Sequence, residues 1–285
     1  MIPIRIIRRR IRSIKSTAKI TKAMEMIAAS KMRQAQLRVL AARPYSEKMR
    51  EVLANLAAQP RVEGESHPLL QHREVKHITV IHVTADRGLC GGLNANMNRR
   101  AASFILEQKV PVNLVTVGRK GRDFMSRYGR DIRAEFTPIS DKPALVDTTP
   151  ISRVVIDDYT NKLTDEIYLG YTQFISTVTQ RPVLQKLLPI EPTKFERTAN
   201  IDYIYEPSPS VVLGELLPRY IEMQVYHAIL ESIASEQSAR MVAMRNATDN
   251  ANEMIDDLTL TYNKARQELI TKELLDIAGG VVTQT

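Results

Sequence analysis

The chain has 285 residues, 44% of them hydrophobic and 25% charged, enough for one large packed domain or two modest ones. Its one cysteine, Cys90, excludes an internal disulfide and suits a reducing compartment. The net charge of +8 is uneven: residues 1–50 hold 14 Lys or Arg against Glu25 and Glu47, a local +12, so the remainder sums to −4.

Such asymmetry implies either a solvated basic face or an anionic partner for the N-terminal segment: nucleic acid, a membrane surface or an acidic protein face. Apolar runs fall far short of the roughly 20 residues that cross a bilayer. The opening "MIPIRIIRRRIRSIK" lacks the apolar core of a secretory signal. The expectation is a soluble chain without direct bilayer insertion.

From Ile4 to Arg43 there is neither proline nor glycine, and the helix expected there would run about 60 Å. Ile4, Ile7, Ile11 and Ile14 alternate in steps of three and four, as in a coiled-coil seam. After Ala18 the stripe is expected to drift to Ile20, Met24 and Ile27, among the small residues of "IAASKM".

Between the terminal helices lies an α/β pattern. Strands are expected at 77–84, 111–118, 171–180, 182–190 and 200–207, and helices at 94–109, 119–128 and 150–167. Residues 59–76 and 137–149 read as exposed connectors.

Residues 219–278 again lack proline and glycine, enough for a helix of about 90 Å. A three-four alternation runs from Tyr220 to Lys272, and twelve of its sixteen positions are apolar or alanine. Gly279-Gly280 stands where a helix stop is expected. A helix this long needs a partner for its seam. The N-terminal helix supplies one in an antiparallel coiled coil within the chain; a homodimeric coiled coil is the alternative.

The stretch "ADRGLCGGLN" (85–94), between an apolar run and a helix, has the grammar of a phosphate-binding turn. A P-loop needs Lys and Ser or Thr after its second glycine, and here Leu93 and Asn94 stand in those places. The dinucleotide spacing G-x-G-x-x-G is absent too. A structural turn is expected, with no cofactor. His67, His72, His77 and His82 recur every five residues, a spacing that shares a face on neither helix nor strand, so no metal site is expected. Nothing marks Cys90 as an activated thiol, and no catalytic constellation appears.

Five motifs carry a resemblance: "KITKAMEMIAASKM" (19–32), "DRGLCGGLN" (86–94), "YIYEPSP" (203–209), "SARMVAMRNATDNA" (238–251) and "YNKARQELITKEL" (262–274). Together, and in order over the whole chain, they resemble the gamma-subunit family of F-type ATP synthase, at bacterial length. The resemblance implies an α/β fold: a long antiparallel coiled coil of the N- and C-terminal helices plus a Rossmann-like α/β middle domain. It implies segments 1–58, 75–205 and 210–285 for the first helix, the foot domain and the last helix. It further implies a non-catalytic rotor shaft that couples ion flow through a membrane proteolipid ring to catalysis on the beta subunits. The partners implied are the alpha–beta hexamer, the epsilon subunit and that ring, with no nucleic acid. The place implied is the cytoplasmic face of a bacterial plasma membrane, as a peripheral subunit. Met24, Arg240, Arg266, Gln267 and Thr271 match family positions that meet the beta subunits. Asp86, Arg87, Gly88, Leu89 and Cys90, with Tyr203, Tyr205 and Glu206, match the foot. One cysteine leaves no pair for the thiol control known in chloroplast members.

Two rivals stay open on the residues alone: a nucleotide-binding enzyme on the α/β middle, and a nucleic-acid-binding coiled coil using the basic helix.

Overall fold

The computed structural model describes residues 3–57, 67–191 and 205–282, without the side chains of residues 43, 57 and 276–282. Among the described residues no helix is long and apolar enough to cross a membrane. The chain divides into two compact units, one of residues 1–28 with 241–285 and one of residues 29–240. Helices α1 (Ile4–Ala57) and α5 (Pro209–Val282) contribute to both.

In the first unit the seam is visible as burial. On α1, Ile4, Ile7, Ile11, Ile14, Ala18, Thr21 and Ala28 withdraw from solvent, and on α5 Met244, Thr248, Ala251, Ile255, Leu258, Tyr262 and Ala265 do the same. The hydroxyls of Thr21 and Thr248 are hydrogen-bonded at 2.7 Å, which fixes the register. Run antiparallel from that anchor, Ala18 stands level with Ala251, Ile14 with Ile255, Ile11 with Leu258, Ile7 with Tyr262 and Ile4 with Ala265. The two stripes coincide at every step. A parallel register would set Ala18 level with the exposed Arg245. Each fully buried isoleucine, such as Ile7, contributes about 1.5–3 kcal/mol.

The drift toward Ile20 and Ile27 does not occur. These side chains are 61% and 56% exposed, while Thr21 and Ala28 are buried and Met24 is half-buried. The three-four alternation simply continues through smaller residues, which let the helices approach closely, and Thr21 finds its hydroxyl partner on α5. Nor does Gly279-Gly280 end the helix, since α5 continues to Val282. Glycine in a helix interior costs about 1 kcal/mol relative to alanine, a penalty rather than a prohibition. All side chains from 266 to 275 are exposed, because α1 begins at Ile4, level with Ala265.

In the second unit both terminal helices pass a proline, α1 at Pro44 and α5 at Pro218. An interior proline costs about 3 kcal/mol. Beyond Pro44, however, Met49, Leu53 and Leu56 are buried, at about 1.5–3 kcal/mol each, so burial outweighs the lost helix bond. The helix thereby runs past the proline-free stretch that ends at Arg43, to Ala57.

The sheet has the order β3-β2-β1-β4-β5, from strands β1 (Ile78–Val83), β2 (Val112–Val117), β3 (Ile132–Phe136), β4 (Glu166–Phe174) and β5 (Gln180–Leu188). All neighbours are parallel except β4 and β5. Every residue of β1 is buried, as expected for a central parallel strand covered on both faces. Ile78 and Val80 pack with Met97, Ala101 and Ile105 of α2 (Leu93–Glu107) and Met125 of α3 (Arg119–Arg127). Ile81 and Val83 share the opposite core with Ile151, Val155 and Tyr159 of α4 (Leu145–Thr160), Leu53 of α1, and Ile221 and Ile229 of α5. This doubly covered, mostly parallel sheet in one unit and the coiled coil in the other make up the α/β fold expected.

The expected helix 150–167 is displaced: α4 begins at Leu145, where the Asp147 carboxylate accepts the Ala144 N–H at 2.8 Å, and ends at Thr160. Residues 166–174 instead form β4, because Ile167, Leu169 and Tyr171 take alternate buried places on the sheet. The expected strand 171–180 splits into the end of β4, a turn, and the start of β5. Strand β3 was not anticipated; its burial only alternates, and its five residues carry two charges. The strand expected at 200–207 lies mostly outside the described residues.

Candidate functional site

The sheet changes direction of winding at β1. Strands β2 and β3 build outward on one side, and β4 lies on the other. Ligands of open α/β sheets favour the crevice at the carboxyl ends of the strands flanking such a point. A cavity of about 610 Å³ sits there, bordered by residues 83–87, by Thr172 of β4, and by Ser232 and Glu236 of α5.

β4 outruns β1, whose last paired residue is His82 opposite Gly170. Two residues on, Thr172 lacks a strand partner on that side, and α5 supplies it. The Thr172 N–H donates to Ser232 Oγ at 3.3 Å, and Ser235 Oγ–H donates to the Thr172 carbonyl at 3.0 Å. One turn further, Ser238 Oγ–H donates to the Thr177 carbonyl at 2.7 Å. Three serines at helical spacing thus fasten α5 to the sheet beside the cavity, which explains why a helix of 74 residues can be buried nearly all round over 228–238.

The loop after β1 closes the crevice. Asp86 spans two elements: Oδ1 accepts the Arg119 N–H at the start of α3, and Oδ2 accepts the Ile139 N–H, both at 2.8 Å. Asn94, at the start of α2, accepts the Ala85 N–H at 3.1 Å and donates to the Arg87 carbonyl and the Cys90 sulfur. Leu89 at φ 62° and Gly91 at φ 59° turn the chain; Leu89 is exposed while Cys90 is buried. Burial pushes the Cys90 thiol pKa up, and the Glu236 carboxylate adds to the rise, so the thiol stays protonated.

Arg240, 9% exposed, ties this loop to α5: its Nη2 donates to Glu236 Oε1 at 2.6 Å and to the Gly88 carbonyl at 3.2 Å. Burial raises the Glu236 pKa, Arg240 opposes the rise, and Asp141 and Asp86 add to it. Lys31 of α1 holds Asp141 at 2.5 Å. The crevice therefore holds three carboxylates, two of them paired with Lys31 and Arg240, while Arg87 and Arg119 also line it. The glycine turn lacks the Lys and Ser or Thr that complete a phosphate loop, with Leu93 and Asn94 in their places.

Arg240 is thus brought to the 86–90 loop from 152 residues away. Its partner Glu236 was missed in the sequence, although the i,i+4 spacing of "EQSAR" could have flagged it. Asp141 and Lys31 carry no such local signal. Met24 is half-buried, and Arg266, Gln267 and Thr271 are exposed on α5 beyond the last paired turn. Tyr205 is half-buried and Glu206 exposed; Tyr203 lies outside the described residues. The histidines do not gather: His67 Nδ1 accepts the Leu69 N–H, and His82 is buried against Asn98 at 2.8 Å, where desolvation lowers its pKa to about 4. Among the described residues no group of three potential ligands is placed to hold a metal.

Comparison with known proteins gives these features a context. A family model described as ATP synthase matches residues 3–283. The ATP synthase gamma chain of Dehalococcoides mccartyi is 61% identical over 280 residues, covering 98% of each chain. A chain in the central stalk and c-ring structure of the Tetrahymena thermophila mitochondrial ATP synthase is similar at a TM-score of 0.62 and 27% identity, over 80% of this chain and 99% of that one. A chain in the rotor of the Euglena gracilis mitochondrial ATP synthase shares the fold at a TM-score of 0.64 and 20% identity, over 94% and 98%. The full-length match, at this identity, joins the antiparallel terminal helices and the α/β unit in one assignment: this chain belongs to the ATP synthase gamma chain family.

Proposed function

We propose that the chain works as the central rotor shaft of an F-type ATP synthase, carrying rotation of a membrane proteolipid ring to the catalytic beta subunits of an alpha–beta hexamer, and so governing ATP synthesis, ATPase activity and proton flow. The observation that carries this reading is the unpaired end of α5. A coiled coil whose longer helix exposes Leu269, Ile270, Leu274 and Leu275 past its partner needs a sleeve supplied by other subunits. The shaft itself performs no bond chemistry and holds no cofactor; Leu93 and Asn94, in place of a P-loop's Lys and Ser or Thr, support this. It acts as a peripheral subunit on the cytoplasmic face of the bacterial plasma membrane.

In this division of labour, segments 1–58 and 210–285 form the shaft and 75–205 the foot, which meets the epsilon subunit and the ring. Asp86 to Cys90 and Tyr203, Tyr205 and Glu206 belong to the foot contacts. Met24, Arg240, Arg266, Gln267 and Thr271 meet the beta subunits, and Arg240 also fastens the 86–90 loop of the foot. The basic face of α1 is attracted to acidic surface of the hexamer. Rotation drives catalysis because an asymmetric shaft presents a different face to each beta subunit in turn. A site changes affinity only when the shaft interacts unequally with its open and closed states.

The test compares two variants in the reconstituted complex. Arg266→Ala with Gln267→Ala removes charge-assisted bonds of about 1.5–3 kcal/mol each and lowers ATP turnover about tenfold or more. Deleting residues 276–285 leaves assembly and much of the turnover intact. A tail deletion that abolishes activity beside a harmless double alanine refutes the assigned roles.

A further inference from the structure

The face of the sheet opposite α4 carries a feature that the rotor reading leaves unused. Residues 93–130 hold eight Lys or Arg against Glu107 and Asp123 alone. Between α2 and α3 runs a groove of about 710 Å³, with Arg99, Lys120, Arg127 and Arg130 along it. None of these four forms an ion pair or a side-chain hydrogen bond among the described residues. The groove is also apolar. Leu106 and Tyr128 are 71% and 64% exposed beside it, and Tyr128 leans on Phe124 with ring centroids 4.8 Å apart.

The local charge balance leaves cations in excess along this groove. The first turns of α3 carry Arg119, Lys120 and Arg122, and the anion that the helix dipole favours at that end is Asp86, through the Arg119 N–H at 2.8 Å. Asp123 is bonded to Arg122 at 2.8 Å and also attracts Lys120 and Arg119, so one carboxylate serves three cations. An apolar strip flanked by unpaired cations matches one kind of ligand surface well. A segment with leucine-like side chains along one face and carboxylates on its flanks would bury Leu106 and Tyr128 and neutralise the arginines together. A flat bilayer does not enter a groove, and a nucleic acid backbone would leave Leu106 against phosphates.

We infer that the α2–α3 groove is a docking surface for an acidic amphipathic helix of a partner protein. This surface belongs to the second unit alone and stands independently of the shaft reading.

The probe is a peptide with leucine along one helical face and glutamate on its flanks, carrying a benzophenone at its central position, used with the full-length chain. Photo-cross-links should map to residues 99–130, and binding by fluorescence anisotropy should weaken with added salt. Arg127→Glu with Arg130→Glu should weaken binding about tenfold or more. Leu106→Ser should weaken it about threefold or more with unchanged thermal unfolding. The milder Arg127→Gln with Arg130→Gln repeats the test if the charge reversal disturbs folding. Cross-links concentrated in residues 4–28, or equal binding of the lysine-flanked counterpart, overturn the inference. So does groove-dependent binding to phosphatidylglycerol vesicles that exceeds binding to the peptide.

Discussion

Replacing Arg240 with alanine tests the tie between α5 and the loop after β1. Arg240 and Glu236 keep only 11% and 14% of their side-chain surface, so the variant leaves a carboxylate mostly buried with its cation gone. Breaking a fully buried pair costs about 3–5 kcal/mol, and a hydrogen bond to a charged group contributes about 1.5–3 kcal/mol. With the residual solvent access, we expect a loss of about 2–3 kcal/mol near neutral pH. In a unit of this size that lowers Tm by roughly 4–10 °C.

The pH dependence sharpens the test. Burial holds the Glu236 pKa above its ordinary value in the folded chain. The folded state therefore grips the proton more tightly than the unfolded one, and the group opposes folding as pH rises through its folded pKa. Arg240 limits that opposition, so its removal should destabilise more at pH 8 than near pH 4.5, where the raised pKa lets the carboxyl keep more of its proton. Adding Glu236→Gln to the Arg240→Ala variant should recover most of the loss at pH 8. Urea unfolding of wild type, Arg240→Ala and the double variant at both pH values measures this, and amide exchange over residues 86–91 should quicken in Arg240→Ala. Equal destabilisation at both pH values, or no recovery with Glu236→Gln, refutes the reasoning.

Other outcomes follow from the register and the close approaches. In a Cys90→Ser background, Ile11→Cys with Leu258→Cys should form an intramolecular disulfide on mild oxidation, and Ile11→Cys with Leu269→Cys should not; dimers alone on non-reducing gels would sink the antiparallel pairing. At Gly121 an added Cβ would lie 2.6 Å from the His82 ring, so Gly121→Ala must displace the imidazole from Asn98. We expect about 1–3 kcal/mol of destabilisation by urea unfolding, whereas Gly129→Ser, in open space at φ 63°, should cost about 1 kcal/mol from backbone strain alone. Met24→Lys puts a charge at a half-buried place on α1; in the assembled complex it should lower protons pumped per ATP hydrolysed while hydrolysis persists.

The sequence by itself determined the two long helices, the seam from Ile4 to Ile14 and from Met244 to Ala265, and the strand-turn-helix at 78–107. These features are local: a side-chain period and a run without breakers record which face is buried, wherever the partner comes from. It also contained the reason that the glycine turn is no P-loop, since Leu93 and Asn94 replace the required residues. Only the tertiary structure decided which face of α1 is buried after Ala18. Thr21 and Ala28 are buried in place of Ile20 and Ile27 because the register with Thr248 selects them. Packing also carried α1 past Pro44, since burial of Met49, Leu53 and Leu56 exceeds what proline costs a helix. Ser232, Ser235 and Ser238 look like neutral helix surface until the unpaired edge of β4 at Thr172 is beside them. The bond from Arg240 to Gly88 joins residues 152 apart, and no local pattern encodes such a distance, because a hydrogen bond depends on where the chain returns rather than on what stands next to it.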